Sequence, residues 1–215
     1  MDLTIGRKNK MKKIIICLMM LFIVTSCRSE QVDLSSGVID GIKYEETSEV
    51  TNYIKIEMED NNLILLELFP DVAPITVENF QNLVSEKFYD GSVFHRVVEN
   101  FMIQGGISAT GRETDAIKGE FAANGIENTL SHKRGVISMA RTNVMDSATS
   151  QFFIMHRDTP GLDREYAAFG EVIAGISTVD KIATTPTRID PMTGQPRPVV
   201  DQVIRSIRFI NIIED

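Results

Sequence analysis

Cysteine is nearly absent from this 215-residue chain: Cys17 and Cys27 are the only two, and none follows. Beyond position 27 no disulfide and no thiolate metal site can form, so a domain there must be held by its core. Histidine is scarce as well. His95, His132 and His156 are the only three, and they lack the HExxH spacing of a zinc helix, so no metal is expected. The chain has no GxSxG nucleophile elbow, no GxGxxG turn and no GxxxxGK[ST] loop, which argues against a hydrolase of that type and against a bound nucleotide. No repeat with a period of about 20–50 residues is visible, which sets solenoids and propellers aside. Long apolar runs are missing too. The longest, residues 14–24, has 11 residues, against the roughly 20 that a membrane-spanning helix needs.

Apolar residues make up 43% of the chain and charged residues 24%, an ordinary globular balance. A chain of this length can bury a substantial core. Arg7, Lys8, Lys10, Lys12 and Lys13, with the single acid Asp2, precede Cys27, which leaves 17 basic and 29 acidic residues after it. Such an acidic surface repels phosphate backbones, so nucleic acid is not an expected partner.

The basic stretch 7–13 followed by the apolar run 14–24 reads as a secretory signal. Met11 could itself be the start, since residues 11–27 make a complete signal. The run ends Val24-Thr25-Ser26-Cys27, which resembles the bacterial lipobox: an aliphatic residue, two small residues, then the cysteine that receives diacylglycerol and becomes the first residue of the mature protein. The expectation is a removed signal at 1–26, acylation of Cys27, and attachment to a membrane of the bacterial cell envelope. An ordinary cleaved signal and an uncleaved anchor helix are the alternatives. Arg28 rather than Asp after the cysteine favours the outer membrane or its periplasmic face. Residues 27–50 are polar and read as a tether, with the folded domain at 51–213.

In the body, Ile54, Ile56 and Met58 alternate with Lys55 and Glu57, a half-buried strand. Asn61-Asn62 can turn it into a second strand at 63–69. Pro74 opens an amphipathic helix over 74–86, with Pro in the first turn where its missing N–H costs nothing. Short strand-like runs follow at 93–98, 101–104, 135–140, 151–155, 167–173 and 202–212, with a second helix at 175–183. The pattern is mainly β, an antiparallel barrel capped by helices. Residues 184–200, with four prolines, read as a loop.

Three dense segments carry the polar residues of interest. They are Phe94-His95-Arg96-Val97-Val98 leading into Phe101-Met102-Ile103-Gln104-Gly105-Gly106, then Ser138-Met139-Ala140-Arg141, then Ser150-Gln151-Phe152-Phe153-Ile154. Taken singly, Phe101, Met102 and Phe153 read as core and Arg96 as a surface charge. Taken together, with Leu162-Asp163 and Tyr166 through Gly170, they resemble the cyclophilin family of peptidyl-prolyl cis/trans isomerases in order and spacing, from about Tyr53 to Ile212.

That resemblance implies a closed eight-stranded antiparallel β-barrel capped by two α-helices, with the substrate groove outside, because side chains fill a barrel of that size. It implies isomerisation of X–Pro bonds in proline-containing polypeptides, by a monomer, with no cofactor and no metal. Arg96 would reach the prolyl nitrogen, with Phe101 and Gln104 as its catalytic partners. Met102, Phe153 and Leu162 would complete the proline pocket with Phe101, and Ala140, Arg141, Gln151 and Tyr166 would flank the substrate. Two departures stand out. Gly161 lies near the position where many members have Trp, which removes a contact for the cyclic inhibitor cyclosporin, and Tyr166 replaces a His. The loop after Gly106, residues 107–113, also differs from the usual Gly-rich form. A groove that binds without turnover, as in a chaperone, and a surface adhesin are the competing readings; an intact Arg96 speaks against the first, and no motif supports the second.

Overall fold

A computed structural model describes residues 34–214 of the chain. The signal segment and Cys27 lie outside the described residues.

Strands β1 (Ser36–Ile39), β2 (Ile42–Glu46), β3 (Tyr53–Met58) and β4 (Leu63–Leu68) precede helix α1 (Pro74–Ser85). Strands β5 (Arg96–Val98), β6 (Met102–Gly105), β7 (Val136–Met139), β8 (Phe152–Met155) and β9 (Ala168–Ala174) lead to helix α2 (Ile176–Ala183). A two-stranded ribbon of β10 (Thr187–Ile189) and β11 (Pro196–Pro198) comes before β12 (Ile204–Ile213). The other ten strands form one antiparallel sheet in the order β1-β2-β12-β3-β4-β9-β7-β8-β6-β5. No described helix is long and apolar enough to cross a membrane.

The predicted strands and both helices fall where periodicity placed them. Asn61, at φ 65°, turns the β3–β4 hairpin, as a short polar side chain can. The start of α1 is anchored from a distance: Glu120, 2% exposed, accepts from the main-chain N–H groups of Ile75 (3.0 Å) and Thr76 (2.8 Å). A carboxylate there satisfies donors that have no intrahelical partner and sits at the positive end of the helix.

Three expectations need correction. First, part of the supposed tether is folded. Ile39-Asp40-Gly41-Ile42 makes a two-residue hairpin turn with φ 50° at Asp40 and 85° at Gly41, the Asp-Gly signature of such turns. β2 then pairs with β12, and Tyr44 packs with Leu63, Leu65 and Ile210 in a cluster of its own. Lys55, fully buried beneath this hairpin, is neutralised by Glu46 (2.5 Å) and Glu57 (3.1 Å) and donates to the main-chain oxygen of Leu34. Secondly, the proline-rich loop contains the β10–β11 ribbon. Thirdly, the main sheet has ten strands rather than eight. The run β12-β3-β4-β9-β7-β8-β6-β5 supplies eight of them, and its two ends meet at a single bridge, Val93 to Val203, beside the hydrogen bonds Phe94 N–H to Gln202 O (3.0 Å) and Ile204 N–H to Ser92 O (2.8 Å).

Strand alternation divides the packing into an inner and an outer layer. Ile103, Ile137, Phe152 and Ile154 point into the main core with Phe80, Phe94 and Phe169. Their neighbours Met102, Val136, Phe153 and Met155 point the other way, into a separate cluster with Phe101, Leu162 and Tyr166 at its edge. That outer cluster is where the singled-out residues meet.

Candidate active site

Strand register lays the site out in a row. Arg96 on β5 faces Gln104 on β6, Gln104 faces Phe153 on β8, and Phe153 faces Ser138 on β7. Beside this row lies a cavity of about 130 Å³ lined by Arg96, Phe101, Met102, Gln104, Ala140, Arg141, Phe153, Leu162 and Tyr166. Its volume is below the roughly 300–1,000 Å³ of drug-sized ligand sites and is on the scale of one side chain. Nine of the ten predicted groove residues therefore converge on one cavity. The tenth, Gln151, reaches it through Gln104, whose amide donates to Gln151 Oε1 at 3.1 Å. Gln151 and Gln104 also line an adjoining cavity of about 400 Å³ with Thr142, Ser147 and Thr149.

Arg96 is held from more than one side. Its Nη1 donates to Gln104 Oε1 at 3.2 Å and lies 3.7 Å from Met102 Sδ. Its guanidinium sits 5.9 Å from the Phe101 ring centre. Partial burial lowers its pKa, opposed by Tyr166, yet a guanidinium stays charged in proteins.

Gly106 explains the second glycine after Gln104. Its φ is 95°, and a Cβ there would lie 2.5 Å from the main-chain oxygen of Ser150 and 2.8 Å from Gln151 Cα. Only glycine lets β6 leave the sheet while packed against the backbone that carries Gln151. At Gly161, beside Leu162, an added Cβ would meet nothing within 4 Å, so a larger side chain has space there.

Arg141 spends its donors locally. Nε donates to the main-chain oxygen of Glu165 (2.9 Å), Nη1 to that of Thr142 (2.9 Å) and Nη2 to the Glu165 carboxylate (3.4 Å). Its guanidinium lies 4.8 Å from the Tyr166 ring centre and 5.0 Å from that of Phe121. It thus braces Tyr166, whose ring meets Phe153 edge-on at 5.7 Å.

Behind the pocket is a group that sequence reading passed over. His132, 1% exposed, stacks on Phe153 with ring centres 6.0 Å apart. Its Nδ1 lies 2.9 Å from Asp163 Oδ1 and its Nε2 3.0 Å from Ser138 Oγ. Although the residue types are those of a hydrolytic triad, Ser138 is fully buried and does not line the cavity. The network instead ties the segment carrying Leu162 to β7, helped by Ser131 Oγ–H to Asp163 (2.7 Å) and Thr159 N–H to His132 O (2.8 Å).

Burial lowers the His132 pKa, against the opposing pull of Asp163. Burial pushes the Asp163 carboxyl up, but bonds from Ser131 and His132 outweigh it and hold the pKa below its ordinary value. Both groups then make the unfolded chain bind more protons, so stability falls on acidification. For His132 the loss begins below the unfolded value of about 6.5 and runs down to the folded one; Asp163 adds to it at lower pH, and His95, also depressed mainly by burial, has the same sign as His132. Melting temperature should therefore decline as pH falls from 7 towards 5. His132→Asn should flatten that decline, and a variant with the wild-type pH slope would remove His132 as its source.

The comparisons agree with this geometry. Residues 53–208 match the family model described as cyclophilin type peptidyl-prolyl cis-trans isomerase/CLD. A peptidyl-prolyl cis-trans isomerase of Acinetobacter baylyi is 45% identical over 166 residues, covering 71% of this chain and 86% of its own. Peptidyl-prolyl cis-trans isomerase B of Escherichia coli is 40% identical over 152 residues, covering 67% and 92%. Among solved structures, a Cryptosporidium parvum cyclophilin type isomerase, crystallised in the presence of the dipeptide Ala-Pro, superposes with a TM-score of 0.61 at 26% identity, covering 76% of this chain and 99% of that one.

Proposed function

The chain belongs to the cyclophilin-type peptidyl-prolyl cis-trans isomerases, and on that premise we propose that it turns X–Pro bonds at the cavity beside Arg96, in exported polypeptides, while an acylated Cys27 holds it at a membrane. The observation that carries the site assignment is the convergence on one small cavity of nine side chains, from several separate segments, that the resemblance had marked.

The reaction breaks no bond. Amide resonance raises a barrier of about 18–20 kcal/mol to rotation, and X–Pro isomers exchange in roughly tens to hundreds of seconds unaided. The catalyst must favour the twisted amide over the planar one. In the twisted state the prolyl nitrogen pyramidalises and offers a lone pair. A fixed cationic donor aimed there gains an interaction that the planar ground state lacks. Arg96 supplies the donor, and its planar fork keeps direction where a lysine would not. The prolyl ring occupies the apolar floor of Met102, Phe153 and Leu162, with Phe101 at its side. Gln104 holds the substrate backbone as well as Arg96. We read the eight strands from β12 to β5 as a barrel closed through the Val93–Val203 bridge, whose filled interior leaves the outer face for substrate. A binder without turnover would capture a proline peptide and leave its exchange rate unchanged.

The location rests on the lipobox-like Val24-Thr25-Ser26-Cys27 after the apolar run. Mass spectrometry of the mature protein should find an N-terminal diacylated cysteine at position 27. An unmodified terminus, or one that begins elsewhere, would refute the anchor and leave the isomerase untouched.

A further inference from the structure

The β10–β11 ribbon belongs to a stretch that reads as a loop, yet it reaches the site. β11 packs along β5, and Gln195, at the end of the ribbon's turn, accepts from Arg96 Nε–H at 2.8 Å. We propose that Gln195 is a positioning residue for the isomerase: it fixes the plane of the Arg96 guanidinium so that the remaining nitrogen, Nη2, is presented to the prolyl nitrogen. The proposal rests on the assignment of Arg96 above.

The geometry of a planar cation carries the argument. A guanidinium held through one nitrogen can still pivot about that contact, and the long arginine side chain has the rotamer freedom to do so. Held through two nitrogens by groups on different elements, it has little rotation left. Here Gln104 holds Nη1 from β6 and Gln195 holds Nε from the ribbon. Nη2 has no hydrogen-bond partner among the described residues, which suits the nitrogen meant for substrate. Preorganisation of this kind is what separates a donor that stabilises a transition state from a charge that is merely nearby.

The ribbon is built to present Gln195 in one place. Asp190 N–H donates to the Gln195 main-chain oxygen (2.9 Å), and Gly194 N–H donates to that of Asp190 (2.8 Å). The Asp190 carboxylate accepts from Met192 N–H (2.8 Å) and Thr193 N–H (3.0 Å). Arg197 pairs with Asp201 at 2.9 Å, tying the ribbon to the segment that leads into β12. A turn with this many internal bonds is more than a spacer between α2 and β12.

The test is a double-mutant cycle on the full-length chain, read as peptide isomerisation. Gln195→Ala should lower kcat/KM about tenfold, mainly through kcat, because the missing bond orients a group that acts in the transition state. Gln195→Glu, which keeps an acceptor at the same reach, should retain most of the rate. Lysine has no Nε–H fork to orient, so adding Gln195→Ala to Arg96→Lys should change nothing further. Melting curves should stay within a few degrees of wild type, since Gln195 is exposed. An unaltered Gln195→Ala rate beside a crippled Arg96→Lys would overturn the proposal alone. An equal loss in both backgrounds, or a change in KM only, would also overturn it. Full activity in Arg96→Lys would remove the proposal together with the assignment of Arg96.

Discussion

Replacing Arg96 by Ala should lower peptide isomerisation by about 10²–10³, the usual cost of one preorganised donor to a developing charge or lone pair. The fold should survive. Arg96 is half-buried at the edge of an open pocket, and its partners Gln104 and Gln195 can turn to solvent once it is gone. Loss of a partly buried side chain with two side-chain hydrogen bonds should cost about 1–3 kcal/mol, which leaves the domain folded. Arg96→Lys should recover little, since it restores the charge and not the fork. Rate and melting curve must be measured on the same variant. Lost activity with a collapsed melting temperature would make Arg96 a structural residue, and near-wild-type activity in a folded protein would end its catalytic assignment.

The neighbouring phenylalanines of β8 should separate stability from function. Phe152 is fully buried, with Phe80, Tyr89 and Phe94 edge-on around it at 5.6, 5.5 and 6.1 Å between ring centres. Truncation to Ala leaves a cavity that the packed core cannot close, at a cost of about 3–5 kcal/mol. At about 2–4 °C per kcal/mol for a domain of this size, the melting temperature should fall by roughly 10 °C. Phe153 faces the opposite way and forms the pocket floor between His132 and Tyr166. Its truncation enlarges a space already open to water, so the melting point should fall less, while kcat/KM drops at least about tenfold through lost apolar contact with the prolyl ring. Calorimetry and kinetics on both variants check the split; equal thermal losses would contradict the inner and outer assignment of the two faces.

What the sequence made legible follows physical lines. Period-two alternation exposed β3, where Ile54, Ile56 and Met58 alternate with Lys55 and Glu57, although the charged side is itself buried under the β1–β2 hairpin; the Pro74 start with helical spacing exposed α1. The site residues read singly as core or surface charge; only the order and spacing of the segments 94–106, 138–141, 150–154 and 162–170, through their resemblance to the cyclophilin family, drew them together. The hairpin at 36–46 was overlooked although Asp40-Gly41 is a strong turn signal, since its strands bury little beyond Tyr44 and carry exposed residues such as Val38. Composition there imitates a linker. Gln195 was invisible for another reason: its partner lies 99 residues away, and nothing local to a Pro- and Gly-containing turn says which strand it will meet. His132 gave no signal either, because a single buried histidine has no spacing to read. Arg141, expected to flank the substrate, lines the cavity, and its donors are spent on Thr142 and Glu165 with its plane against Tyr166. Residue type and position alone do not reveal where an arginine spends its donors.

The most direct test of a catalytic pocket beside Arg96 is exchange NMR of an Ala-Pro peptide with the full-length protein. The expected result is cis–trans exchange accelerated by wild type, with shift changes at Phe101, Gln104 and Phe153, and exchange lost in Arg96→Ala while those shift changes persist. Exchange that continues in Arg96→Ala, or shift changes confined to other surfaces, would contradict the account.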